Sequence, residues 1–204
     1  MFNIIIVLVV GYLLGSISSG VLVSKAFSNT DIRSQGSGNA GTTNMLRVLG
    51  RKLALITFIG DMLKGVIAVL IGKALVGGDL GGVLGVAGAV LGHYFPLYFG
   101  FKGGKGIATG FGSLLFVFPV EALSALAVFV AIVAATRYVS LGSIIAAAVL
   151  PMLVFITHGE NLPVCILTAL IGLSAIWRHS ANIQRLLSHP ESKLDFNQRK
   201  GKKK

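Results

Sequence analysis

The chain has 204 residues, of which 54% are hydrophobic and only 12% are charged, and its mean hydropathy is +0.83. Since a soluble domain carries about 25% charged residues, this composition excludes an ordinary soluble protein and indicates an integral membrane protein. The net charge of +11 is interpreted as a sign of membrane orientation rather than of nucleic-acid binding, and the single cysteine, Cys165, excludes an internal disulfide framework.

The first predicted element is a membrane span at about 3–25, followed by a polar segment at 26–52. The apolar run is long, has no basic leader and meets no clear small-residue cleavage site, so we predict a retained span rather than a cleaved signal peptide. Within the polar segment, Gly36–Arg47 is rich in glycine and in short polar side chains. With Thr43 or Asn44 as the cap of a following helix, the amides of this stretch predict a phosphate site.

Arg47 and Arg51 add positive charge to this predicted site. If one helix runs through both residues, their spacing places them on one face of it, where arginine binds phosphate through two parallel hydrogen bonds. The alternative is a linker with a helix cap, whose arginines only mark the cytoplasmic side of the membrane. The local residues do not decide between these two interpretations.

Spans two and three are predicted at about 53–76 and 80–98. Span two contains Asp61 and Lys64, and an unpaired charge at this depth costs roughly 2.5–3.5 kcal/mol. We therefore expect the two side chains to pair and to serve a structural rather than a catalytic role. Span three ends in an aromatic interface pattern, in which we expect His93 to pack at the membrane surface.

A second glycine-rich stretch, Lys102–Gly106, again combines backbone amides with lysine and predicts a phosphate site. It lacks the spacing of a nucleotide-binding P-loop, and its alternative interpretation is a flexible turn with cytoplasmic lysines. The apolar run that follows is predicted to break at Pro119, because a proline inside a helix removes a hydrogen bond. The resulting spans are 105–118 and 120–136, and the first is too short for a hydrocarbon core of ~30 Å.

The last two spans are predicted at about 140–157 and 162–177, and the cluster Arg178–Arg185 follows them. His179 and Asn182 are three residues apart and so share a helix face. His179 is suited to donate a hydrogen bond to phosphate or to move a proton. The alternative is an interfacial helix whose arginines extend toward the membrane surface.

The basic residues predict the orientation of the chain. With seven spans, every lysine and arginine except Lys64 and Lys73 falls in alternate connections or in the C-terminal tail, whereas the other connections carry Asp79, Glu121 and Glu160. Cytoplasmic connections are the ones enriched in lysine and arginine. We therefore predict a periplasmic N-terminus, a cytoplasmic C-terminus and polar motifs that share the cytoplasmic face.

Taken in this order, the motifs resemble the bacterial membrane glycerol-3-phosphate acyltransferases that use acyl phosphate as donor, the PlsY family. The stretches that carry the resemblance are Gly11–Ile17, Asp31–Arg47, Asp61–Gly65, Gly92–Pro96, Phe101–Thr109, Arg137–Ser140 and Arg178–Leu187. The chain departs from the usual pattern at Ser18–Ser19 and His189–Pro190. The expected fold is an all-α polytopic membrane protein with about seven transmembrane helices and cytoplasmic glycine-rich loops. Residues 1–187 form one acyltransferase domain, and 188–204 form a basic cytoplasmic tail.

The reaction implied by the resemblance transfers an acyl group from acyl phosphate to the sn-1 hydroxyl of glycerol 3-phosphate at the bacterial inner membrane. It gives lysophosphatidic acid and phosphate for phospholipid biosynthesis. The expected partners are the two substrates and membrane lipid but no nucleic acid, and a soluble enzyme that forms acyl phosphate is a candidate partner. We expect no cofactor and no metal site, since the histidines are scattered and the cysteine is isolated. The alternative function is a transporter or exporter of a phosphorylated solute, although no inverted repeat is apparent.

The candidate catalytic residues are His179, Asn182, Lys105 and Ser37. The candidate substrate-binding residues are Arg47, Arg51, Ser37, Gly38, Asn39, Thr43, Asn44, Gly103, Gly104, Lys105, Gly106, Ser140, His179 and Asn182. The two arginines are assigned to the phosphate of glycerol 3-phosphate, and the glycine amides, Lys105, His179 and Asn182 to the donor phosphate. We favour a hydrogen-bond donor role for His179 over a general base, because a mixed anhydride is already activated.

Overall fold

The computed structural model describes residues 1–188 and 191–194. Of the predicted basic tail, 188–204, the structure describes residues 188 and 191–194, and His189–Pro190 lies outside the described residues. The ten α-helices of the described part are α1 Phe2–Gly15, α2 Ser19–Ser28, α3 Thr42–Leu49, α4 Arg51–Leu75, α5 Gly78–Tyr94, α6 Ile107–Val117, α7 Pro119–Thr136, α8 Val139–His158, α9 Leu162–Trp177 and α10 Ser180–Ser188. Two 3-10 turns, Ile32–Ser34 and Leu97–Phe99, complete the regular structure of this part.

Five stretches of the described chain are long and apolar enough to cross a membrane: Phe2–Ser28, Arg51–Leu75, Gly78–Phe99, Pro119–Thr136 and Val139–His158. Helix α9 qualifies as a sixth when it is joined to α10 across a bend of 51°. Helix α6 has 11 residues and is only about 16 Å long, against a hydrocarbon core of ~30 Å. The fold class of a polytopic all-α membrane protein is confirmed, and the count of seven spans stays a prediction.

The predicted first span consists of two helices, because the chain leaves the helical conformation at Ser18, which has φ −85° and ψ 94°. The last carbonyls of a helix lack a partner within the helix. Here the Ile17 carbonyl accepts a hydrogen bond of 2.8 Å from Lys64 Nζ on α4. A charged side chain inside the membrane therefore supports the break in the first span.

Helix α5 lies at the centre of the bundle and packs against α1, α4 and α6. Its glycines permit close backbone contact: a Cβ at Gly88 would lie 2.8 Å from the Leu8 carbonyl oxygen, and one at Gly85 would lie 2.3 Å from that of Ala68. Such small residues let membrane helices approach closely. On the other side of the bundle, α8 packs between α7 and α9.

The polar segment between α2 and α4 is held in place by an apolar anchor. Ile32, Ala40 and Met45 are buried together with Val21 of α2 and Ala54 of α4. Burying apolar side chains from both helices and from the segment favours one folded arrangement of the segment. This anchor fixes where α3 begins.

Two acidic residues of the predicted periplasmic connections, Asp79 and Glu121, meet at one end of the bundle. His158, the last residue of α8, has Nε2 3.5 Å from Glu121 Oε1 and Nδ1 4.0 Å from Asp79 Oδ2. The basic motifs lie around the first residues of the same helix, near Ser140. Acidic and basic connections are therefore at opposite ends of α8.

Candidate active site

A polar cavity of about 610 Å³ lies where α3, α6 and α8 begin and α9 ends. The predicted site residues that line it are Ser37, Asn39, Thr43, Asn44, Arg47, Lys105, Gly106, Ser140, His179 and Asn182. The predicted residues outside its lining are Gly38, Arg51, Gly103 and Gly104. Motifs that are far apart in sequence thus meet around one space.

Two helix N-termini contribute to the wall of this cavity. Helix α3 begins after Gly41 and α6 after Gly106, and neither start has a side-chain cap. Gly106 has φ of 72°, a left-handed conformation that favours glycine. The first amides of a helix lack intrahelical partners and carry partial positive charge, so the cavity offers two backbone sites for anions.

Asn44 organises the glycine-rich stretch from within. Its Oδ1 accepts from the Ser37 amide at 2.9 Å, and its Nδ2 lies 3.2, 3.0 and 2.9 Å from the carbonyl oxygens of Ile32, Gln35 and Asn39. The prediction that Thr43 or Asn44 caps α3 is wrong, since Gly41 occupies the cap position. The amide of Asn44 shapes the loop, and the exposed Ser37 side chain remains on the cavity side.

Arg47 and Arg51 do not share a helix. Gly50 has φ of 86° and ends α3, and Arg51 opens α4 as an exposed residue outside the cavity lining. The predicted common helix face is therefore wrong. Arg47 is half-buried in the cavity wall, and its guanidinium has neither an ion pair nor a hydrogen bond with the part of the chain that the structure describes. A half-buried cation of this kind favours an anionic ligand.

A hydrogen-bond network joins the second glycine-rich stretch, Lys102–Gly106, to the chain after α9. Lys105 Nζ donates to Asn182 Oδ1, and Asn182 Nδ2 donates to Glu191 Oε1 at 2.9 Å. Glu191 also accepts from Ser140 Oγ at 3.0 Å and from Arg185 Nε at 2.6 Å. Burial lowers the pKa of the Lys105 ammonium to about 8, although the Glu191 carboxylate opposes this. At neutral pH Lys105 is therefore a charged group oriented by Asn182.

His179 presents one particular tautomer to the cavity. Its Nδ1 lies 2.8 Å from the Ala175 carbonyl oxygen, which can only accept, so Nδ1 carries the proton. Burial lowers the pKa of His179 to about 4. The neutral ring therefore presents an unprotonated Nε2, which accepts hydrogen bonds. This geometry contradicts the expectation that His179 donates a hydrogen bond to phosphate.

The loop Lys102–Gly106 is held rigidly by the protein. The Gly104 amide donates to the His93 carbonyl at 3.1 Å, and the Gly104 carbonyl accepts from Arg178 Nε and Nη2 at 3.2 and 2.9 Å. Arg33 Nη1 donates to the Lys102 carbonyl at 3.1 Å. Because its amide is already bonded, the prediction that Gly104 binds phosphate through this group is wrong. The contacts of Arg33 and Arg178 with this loop lacked a local signal in the sequence.

Two titratable residues of α4 and α5, Asp61 and His93, also line the cavity. The predicted pairing of Asp61 with Lys64 is confirmed at 2.8 Å. Only 5% of His93 is exposed, and it lies one residue before the end of α5, so its expected packing at the membrane surface stays a prediction. The sequence offered no sign of the contact between these spans because it depends on how α4 and α5 pack.

A second cavity, of about 200 Å³, adjoins the polar one between α6, α8 and α9. The two cavities share six residues in their walls: Phe58, Gly106, Ile107, Ala108, Phe129 and Ser143. The remaining wall is almost entirely apolar and includes Leu150. An apolar slot thus opens beside an anion site, as an amphiphilic substrate requires.

The chain is similar to known proteins along nearly its whole length. A family model described as glycerol-3-phosphate acyltransferase matches residues 5–189. The chain is 48% identical over 198 residues to a glycerol-3-phosphate acyltransferase of Clostridioides difficile strain 630, covering 95% of this chain and 96% of that protein. It is 47% identical over 193 residues to one of Syntrophotalea carbinolica, covering 93% and 96%.

Solved structures show the same architecture. The chain superposes with a TM-score of 0.88 and 39% identity on a crystal structure of PlsY (YgiH), an integral membrane glycerol 3-phosphate acyltransferase, in its glycerol 3-phosphate form. For the lysophosphatidic acid form the TM-score is 0.84 and the identity 37%. Each match covers 94% of this chain, and 96% and 95% of the respective crystal structures.

Proposed function

Because the chain belongs to the glycerol-3-phosphate acyltransferase family, we propose that it uses acyl phosphate to acylate the sn-1 hydroxyl of glycerol 3-phosphate. It is a multi-pass membrane enzyme of phospholipid synthesis. Membership of this family favours the acyltransferase over the transporter or exporter of a phosphorylated solute, the alternative considered from the sequence. The products of the proposed reaction are lysophosphatidic acid and inorganic phosphate.

The observation that carries this proposal is the position of two cations at separate places in one polar cavity. Arg47 lies in the last turn of α3 and lines the same cavity as the first residues of that helix, and Lys105 lies beside the N-terminus of α6. Each pairing of a cation with free backbone amides suits one phosphate. The reaction requires two phosphates close together, one on the acceptor and one leaving the donor, and we assign the first to Arg47 and the second to Lys105.

The chemistry needs positioning and charge stabilisation more than a strong base. The glycerol 3-phosphate hydroxyl attacks the carbonyl carbon of the mixed anhydride, a new C–O ester bond forms, and the C–O bond to phosphate breaks. Lys105 stabilises the negative charge that the departing phosphate gains. The departing phosphate takes the hydroxyl proton, so the atoms and charges of the reaction balance without a cofactor.

His179 takes part in this scheme as an acceptor. His179 lines the cavity and carries its proton on Nδ1, so its unprotonated Nε2 accepts the hydrogen bond of the attacking hydroxyl and orients it. A pKa of about 4, due first to burial, makes the imidazole a weak base. We therefore propose that His179 positions the hydroxyl while the departing phosphate takes the proton.

Turnover by the purified chain in detergent tests the proposed donor. With glycerol 3-phosphate and an acyl phosphate, lysophosphatidic acid and inorganic phosphate should form in equal amounts. The matched arm replaces the acyl phosphate with the corresponding acyl thioester of coenzyme A. Turnover with the thioester and none with acyl phosphate would exclude the proposed donor.

We further propose that the apolar slot holds the acyl chain of the donor. It begins at the residues shared with the polar cavity, Gly106–Ala108, and runs along α6 toward Leu114. Each methylene group buried there contributes about 0.8 kcal/mol. The slot thus places the carbonyl of a bound acyl phosphate at the polar cavity.

Filling this slot should change the preference for chain length. Gly110 lines it, and the nearest atom to a Cβ built there is Val90 Cγ2 at 3.7 Å, so a larger side chain enters the slot. Gly110→Leu should lower kcat/KM for palmitoyl phosphate at least about tenfold more than for octanoyl phosphate, because a few buried methylenes are lost. Ala127→Leu on an exposed face of α7 is the control. An equal loss for both donors would place the acyl chain elsewhere.

The orientation is also a proposal: the N-terminus lies in the periplasm, and the C-terminus and the cavity lie on the cytoplasmic side of the bacterial inner membrane. It is supported by the separation of basic and acidic residues at the two ends of α8. Reporter fusions near Asp79 and Glu160 should report a periplasmic location, and a fusion at the C-terminus a cytoplasmic one. A cytoplasmic signal at Glu160 would contradict seven spans.

A further inference from the structure

A charged cluster on two of the membrane-spanning helices borders the cavity of the proposed donor site. Asp61 and Lys64 of α4 and His93 of α5 are 1%, 4% and 5% exposed. Lys64 Nζ lies 2.8 Å from Asp61 Oδ1 and 2.9 Å from His93 Nδ1. Such groups are costly within a bilayer and commonly mark function, yet the proposed reaction scheme leaves all three unused.

The contacts of Lys64 determine the tautomer of His93. An ammonium group has three donors and no acceptor. Lys64 Nζ donates to the Ile17 carbonyl, lies within hydrogen-bond distance of His93 Nδ1 and forms an ion pair with Asp61 Oδ1. His93 Nδ1 must therefore accept. Asp61 Oδ1 is 3.6 Å from Nδ1, too far for a hydrogen bond. The neutral ring consequently carries its proton on Nε2.

The protonated Nε2 of His93 lies against the loop Lys102–Gly106. A Cβ built at Gly104 would be only 2.2 Å from Nε2, so the imidazole contacts the residue that precedes Lys105. His93 lines the polar cavity, and its Nε2 has no hydrogen-bond partner among residues 1–188 and 191–194. An N–H donor that has no protein partner and belongs to a residue lining a cavity is available to a ligand bound there.

We propose that His93 is a further substrate-binding residue, whose Nε2–H donates to an oxygen of the phosphate held by Lys105. Asp61 and Lys64 act as positioning residues that hold the ring in the Nε2–H tautomer. The inference rests on the proposed function for the identity of the donor, although inorganic phosphate, the proposed product, presents the same oxygens. It also gives a reason for glycine at position 104, where any side chain would displace the imidazole.

Two substitutions at His93 distinguish the roles of its two ring nitrogens. The side-chain amide of His93→Gln reaches about as far as Nε2, whereas that of His93→Asn reaches only as far as Nδ1. His93→Gln should keep most of the activity with acyl phosphate. His93→Asn should weaken inhibition by inorganic phosphate and lower kcat/KM for acyl phosphate by roughly 10–100-fold, with the KM for glycerol 3-phosphate unchanged.

Equal losses in the two variants, or unchanged phosphate inhibition in His93→Asn, would overturn the proposal. A measurement on the unaltered protein avoids dependence on how the variants fold. In ¹⁵N NMR of histidine-labelled protein, the His93 resonances should show a neutral Nε2–H ring, and Nε2 should shift when inorganic phosphate is added. A Nδ1–H ring, or no response to phosphate, would refute the inference even if the enzyme uses acyl phosphate. Failure of wild-type turnover with acyl phosphate would instead refute the proposed donor alone.

Discussion

Replacing Arg47 with lysine should raise the KM for glycerol 3-phosphate and lower kcat/KM by roughly 10–100-fold, since hydrogen bonds to charged groups contribute about 1.5–3 kcal/mol. A guanidinium holds phosphate through two parallel hydrogen bonds, which an ammonium does not reproduce. Arg47 is half-buried in the cavity wall. Lysine at this position retains the positive charge but loses the pair of parallel hydrogen bonds. Steady-state kinetics with saturating acyl phosphate measure this effect, and the thermal unfolding midpoint checks the fold.

Arg51→Lys is the matched comparison, because Arg51 lies outside the cavity lining and on a different helix. The sequence pattern predicts similar losses for both arginines, whereas the structure predicts a clearly smaller loss for Arg51. Near-normal kinetics in Arg47→Lys would show that another group holds the acceptor phosphate.

Lys105→Ala should lower kcat by about 10²–10³-fold, the usual effect of removing a donor aimed at developing negative charge. Lys105 is the cation at the N-terminus of α6, held there by Asn182. Asn182→Ala should therefore cause a loss of the same kind, through the position of Lys105. The affinity for glycerol 3-phosphate should change little in either variant. An unaltered kcat in both at saturating acyl phosphate would exclude a role for this network in catalysis.

The pH profile gives an independent test of Lys105. Burial lowers the pKa of its ammonium from 10.5 to about 8 in the free enzyme, so the group is charged below this pH and loses its charge above it. The value of kcat/KM for acyl phosphate should consequently fall as pH rises through about 8. In Lys105→Arg this fall should disappear, because arginine stays protonated. An identical fall in that variant would assign the ionisation to another group.

The membrane spans were predictable because hydropathy is a local property of the chain. The observed α4, Arg51–Leu75, and α8, Val139–His158, agree closely with the predicted 53–76 and 140–157. The break within the first span was not predictable. It occurs at ordinary small residues and is supported by Lys64, a residue of another helix.

The residue types of the site were predictable, but much of their geometry was not. Gly50 adopts a positive φ and separates the helices of Arg47 and Arg51, which periodicity alone does not reveal. Gly104 binds His93 through its amide because the loop folds back on α5. The contacts of His93 with Lys64 and Gly104 were not predictable, because they depend on packing between elements that a single sequence does not encode locally.

If Arg47 and Lys105 hold two different phosphates in one cavity, substitutions at the two positions must affect the binding of glycerol 3-phosphate differently. Equilibrium binding to purified protein in detergent measures this difference. Titration calorimetry without acyl phosphate should show affinity lowered at least about tenfold in Arg47→Lys, as expected for lost hydrogen bonds to a charged group. It should show little change in Lys105→Ala. Retained affinity in Arg47→Lys together with lost affinity in Lys105→Ala would contradict the assignment of the two phosphates.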